Sequence, residues 1–117
     1  MSEQPDPVLT ERSRPVRADL NIGVAGGNPG LLQDLLDRLA LGEQRYGVEL
    51  HSYCGRDLLR DAYEEALDGY IYLNAYLSER SRSYPLDAEE LRAIVQATTC
   101  SYALLAELRY LMAARAG

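Results

Sequence analysis

The chain has 117 residues, 47% of them hydrophobic, and a formal net charge of −6. That length fits one domain with a modest core, and the acidic balance argues against a nucleic-acid binder, whose affinity would need a basic stripe. No apolar run approaches the ~18 residues of a membrane span, and the start lacks the pattern of a signal peptide, so a cytoplasmic protein is expected.

Residues 1–19 are polar and contain Pro5, Pro7 and Pro15. They read as a disordered tail ahead of a single helical domain over 20–117. All twelve basic residues of the chain are arginine, and Arg12, Arg14 and Arg17 fall in this tail. Leu20, Ile22 and Val24 then alternate with small or polar residues, as in a short extended segment. The glycine run from Gly23 to Gly30 lacks both the GK[ST] ending of a P-loop and the spacing of a dinucleotide-binding fingerprint, so a simple turn is expected.

Asn28 suits a helix N-cap and Pro29 the first helical position, where a missing N–H costs nothing. The first helix is predicted from about Pro29 to Arg45, with Leu31, Leu35 and Leu39 at i, i+4 spacing and Leu32 and Leu36 beside them. Gly47 ends it. Val48 to Arg56 forms a connector holding the only histidine, His51, and Cys54. Those two lack an obvious third partner for nucleophilic or zinc chemistry, and a structural role is expected. Cys54 and Cys100 have no CxxC spacing and are expected to stay reduced.

The second helix is predicted from about Asp57 to Glu79, with an apolar face of Leu59, Ala62, Tyr63, Ala66, Leu67, Tyr70, Leu73 and Leu77. Arg80 to Tyr84 reads as a polar linker ending before Pro85. Asp87 and Glu90 then have capping-box spacing, flanked by Leu86 and Leu91 as a hydrophobic staple. The third helix can continue to about Ala114, roughly 40 Å. Its expected buried stripe is Leu91, Ile94, Val95, Thr98, Tyr102, Leu105, Leu108 and Met112. The fold class is therefore all-α: a bundle of about three helices. So long a helix in so small a chain points to completion by homo-oligomerisation.

The chemistry, if any, centres on the second helix. At about 100° per residue, Asp61, Glu64, Glu65 and Asp68 fall in one sector about 100° wide, and Tyr72 continues it one turn later. Only Arg60 lies near enough to relieve their repulsion, and it sits at the edge. Crowded hard-oxygen donors attract Mg²⁺, Mn²⁺ or Ca²⁺; the plain alternative is a solvated acidic face. Asp34 and Asp37, also one turn apart, lie off the leucine face of the first helix, and two helices each giving a carboxylate pair is a recognised plan for a metal site. Arg45 and Arg56 flank the connector, where guanidinium groups can hold phosphate bidentately. Nine tyrosines supply all the aromatics, and they cannot all be buried with their hydroxyls unsatisfied. Tyr72, beside the acidic sector, could stack on a base.

Taken together, Arg38-x-x-x-Gly42-x-x-Arg45-Tyr46-Gly47-x-x-Leu50, Gly55-Arg56-Asp57-x-Leu59-x-Asp61-Ala62-Tyr63-x-Glu65-Ala66-Leu67-Asp68 and Tyr72-Leu73 resemble the MazG-like nucleotide pyrophosphohydrolases of phages, over roughly residues 36–80. The resemblance implies an all-α, Mg²⁺-dependent enzyme that cleaves a nucleoside triphosphate to the monophosphate and pyrophosphate. Glu65 and Asp68 match the family's ExxD motif and would be catalytic. Arg45, Arg56 and Tyr72 would bind substrate, and Asp34, Asp37, Asp61 and Glu64 would join Glu65 and Asp68 around Mg²⁺ or Mn²⁺. The family's EExxE motif is not present, and Cys54 stands where asparagine is usual. Two other readings stay open: a non-catalytic binder of nucleotides or signalling nucleotides that blunts host defence, and a helical protein-interaction module.

Overall fold

A computed structural model describes residues 4–16, 28–48, 50–83 and 85–117. Three helices and no strand are present among them: α1 (Pro29–Tyr46), α2 (Leu58–Ser83) and α3 (Ala88–Ala116). The all-α expectation is met. The extended segment expected at Leu20 to Val24, and the glycine run up to Gly27, lie outside the described residues. No helix of the described residues is long and apolar enough to cross a membrane. The chain divides into two compact units, Met1–Arg56 and Asp57–Gly117.

In the first unit, α1 begins as its sequence dictates. The Asn28 side chain accepts the Leu31 N–H at 3.1 Å, and Pro29 occupies the first turn. The helix ends where Gly47 turns left-handed (φ 79°) and its N–H reaches the Glu43 carbonyl at 2.8 Å, a conformation open to glycine because it has no Cβ. Residues 4–16, within the tail expected to be disordered, make backbone hydrogen bonds to the connector. The N–H of Val8 donates to Cys54, that of Val16 to Leu50, and that of Ser52 to Arg14, at 2.6–2.8 Å. Pro15 and His51 form an isolated antiparallel bridge. Tyr53 takes a left-handed φ of 51°, which costs a non-glycine residue about 1–2 kcal/mol. Its ring carries the Arg12 guanidinium at 3.9 Å, and its carbonyl accepts the Ser13 hydroxyl at 2.9 Å. Cys54, 1% exposed, is fully buried beside this turn, and both cysteines are free thiols.

In the second unit, α2 and α3 pack as an antiparallel hairpin closed at each end by an arginine–carboxylate pair. At the open end, the Asp57 carboxylate caps α2 by accepting the Arg60 N–H at 3.1 Å and receives both terminal nitrogens of Arg115 at 2.7 and 2.5 Å. At the turn, Arg80 donates through Nε to Glu90 at 2.7 Å and through Nη2 to the other Glu90 oxygen. The reading of Arg80–Tyr84 as a polar linker is corrected here: α2 runs on to Ser83, and Arg80 is buried, 6% exposed. Two serines carry that last turn, Ser81 donating to the Ser78 carbonyl and Ser83 to that of Glu79. Asp87 then caps α3 by accepting the Glu90 N–H at 2.8 Å, as its spacing predicts.

The core of this hairpin is thin. Ile94 is the buried apolar residue of α3, with Thr98, Leu105, Leu108 and Met112 half-covered along the same side. The buried stripe predicted for α3 is too wide. Leu91, Val95 and Tyr102 are 45%, 52% and 63% exposed, because a single neighbouring helix covers one sector and these three project to its flank. Tyr102 meets Tyr70 with the rings tilted by 55° and their centroids 6.0 Å apart.

Candidate functional site

The acidic sector of α2 sits opposite the residues that pack on α3. Tyr63, Ala66, Tyr70, Leu73 and Leu77 are half-covered, whereas Glu65 and Asp68 are exposed. The helical repeat alone accounts for this arrangement, since positions i, i+3, i+4 and i+7 from Asp61 share one side. The sector is less uncompensated than its sequence implies. Arg60 reaches one turn along and donates through Nε to Glu64 at 2.7 Å, and Asp61 is engaged as well. Glu65 and Asp68 remain without a partner among the described residues.

Tyr72 continues the sector and is 71% exposed, with its ring open to solvent. Asp34 and Asp37 lie on α1 in the N-terminal unit, both exposed, and Asp37 accepts the Gln33 amide at 2.8 Å. No group of three or more histidine, cysteine, aspartate or glutamate side chains converges to hold a metal ion among the described residues. Two carboxylates one turn apart nevertheless suit Mg²⁺, which keeps several waters and takes its remaining ligands from substrate phosphates.

The arginines are placed differently. Arg45 occupies the last turn of α1, where the helix dipole favours a cation, and its guanidinium lies 5.2 Å from the Tyr46 ring centroid. Arg56 reaches back to the N-terminal segment and donates to the Pro5 carbonyl at 2.8 Å. It thus has a structural task that no local motif announces.

Asp57 is the residue that sequence reasoning undervalued. Its carboxyl is lowered from 3.8 to about 2 by the Arg115 hydrogen bonds first and the Arg60 N–H second, and Arg115 is raised in return. The capping geometry was legible in its position before a leucine-rich helix; the partner 58 residues away was not. No family model, curated protein or solved structure matches the chain.

Proposed function

We propose that the chain is a metal-dependent nucleoside triphosphate pyrophosphohydrolase of the MazG-like kind, using the exposed face of α2. The observation that carries this reading is the pair Glu65 and Asp68, one turn apart, exposed and unpartnered among the described residues. They would hold Mg²⁺ or Mn²⁺, with Asp61 and Glu64 alongside on the same face of α2. Bound there with the triphosphate, the ion would neutralise phosphate charge and make a bound water more acidic. Tyr72, one turn further along α2, offers an exposed ring for a base. The test is pyrophosphate release from a panel of ribo- and deoxyribonucleoside triphosphates with Mg²⁺ or Mn²⁺. Release that disappears in Glu65→Gln, at unchanged helicity, supports the enzyme. Nucleotide-induced thermal stabilisation without turnover supports instead a nucleotide or signalling-nucleotide binder that has lost part of its ligand set.

A second reading, a helical interaction module, is favoured by the uncovered flank of α3. A helix apolar beyond one stripe needs a second neighbour, and Leu91, Val95 and Tyr102 offer one to another copy of the chain. Sedimentation equilibrium separates the two readings: a monomer that hydrolyses nucleotides has no use for this flank.

A further inference from the structure

The N-terminal unit contains a recess of about 320 Å³, at the lower end of the ~300–1,000 Å³ range of small-molecule sites. One wall is α1. Leu35, Arg38, Leu39, Gly42 and Tyr46 line it, and their spacing puts them within one narrow sector of the helix. Pro7 lines it from the N-terminal segment and Leu50 from the connector, and the Val8–Cys54 and Val16–Leu50 backbone bonds join the two. A Cβ added at Gly42 meets no atom of the described residues within 4 Å.

Its charge is one-sided. Among the described residues Arg38 is the single charged residue of the lining, it is exposed, and it has no partner. No carboxylate of the described residues lines the recess. An apolar pocket with one unengaged guanidinium is complementary to an apolar body carrying one negative charge. We propose that this recess binds a small amphipathic carboxylate, its alkyl or aryl body against Leu35, Leu39 and Gly42 and its carboxylate on Arg38. The site lies wholly within the N-terminal unit and uses none of the α2 carboxylates, so it stands apart from the nucleotide reading.

The full-length protein is titrated by calorimetry with hexanoate, octanoate and octan-1-ol, alongside Arg38→Gln and Gly42→Leu. Each methylene buried contributes about 0.8 kcal/mol, so octanoate should bind roughly 15-fold tighter than hexanoate. Arg38→Gln should weaken octanoate about tenfold and leave octan-1-ol unchanged. Gly42→Leu fills the recess at that point with a better helix former, so it should abolish both while Tm holds or rises. The proposal is overturned if no ligand saturates the wild type, if Arg38→Gln binds octanoate as tightly as the wild type does, or if a folded Gly42→Leu still binds.

Discussion

Replacing Arg80 with methionine removes the guanidinium at the α2–α3 turn while keeping most of the apolar stem, so the loss reports on the ion pair rather than on a cavity. Arg80 is 6% exposed and Glu90 29%. Deleting one partner of a buried pair costs about 3–5 kcal/mol, most of it from the charge left behind. Glu90 retains partial access to water, which places Arg80→Met near the lower bound, at about 3 kcal/mol. For a unit of this size 1 kcal/mol shifts Tm by about 4–8 °C, so a fall of roughly 12–24 °C is expected. Urea denaturation followed by circular dichroism at 222 nm, repeated over a range of protein concentrations, measures the loss free of any self-association. A double-mutant cycle with Glu90→Leu should return a coupling of about 1.5–3 kcal/mol. An Arg80→Met protein within about 0.5 kcal/mol of wild type would refute the clamp, since that is the range of an ordinary surface change.

Three further outcomes are expected. Because Asp57 is lowered to about 2, its contribution to stability is complete above the unfolded value near 3.8 and is lost as pH falls through about 2; a carboxyl NMR titration of wild type and Arg115→Gln should show Asp57 returning toward 3.8 in the variant. Gly47→Ala should destabilise the first unit by about 1–2 kcal/mol through backbone strain alone, because the added Cβ meets nothing within 4 Å, and Gly47→Asn should cost less; thermal melts decide both. Val95→Glu, on the uncovered flank of α3, should leave helicity intact and shift sedimentation equilibrium toward the monomer, whereas an unchanged mass distribution would exclude that flank as an interface.

The three helices were legible because each is specified locally. Asn28 followed by Pro29, Gly47 after Tyr46, and the Asp87–Glu90 box act over one turn of chain, and the structure places a cap at each. The acidic sector of α2 was legible for the same reason, since side-chain direction on a helix follows from the repeat. The boundary after Glu79 was misjudged because Arg80–Ser83 looks polar in sequence, and only burial against Glu90 distinguishes an anchoring arginine from a solvated one. Likewise the link from residues 8–16 to the connector has no hydrophobic pattern to announce it, being made largely of backbone hydrogen bonds that any sequence can form.

Local chemistry in the sequence thus determined that the chain is helical, where its caps lie, and that four carboxylates share one side of α2. Tertiary structure decided which charges are engaged beyond the local helix: Glu90 by Arg80, Asp57 by Arg115, and Arg56 by the Pro5 carbonyl. It also decided how much of α3 is covered, leaving Leu91, Val95 and Tyr102 exposed. The physical reason is range. Helix propensity and capping act over a few residues, whereas these pairings and burial join residues 10 to 58 positions apart in the chain and are fixed only when their segments pack.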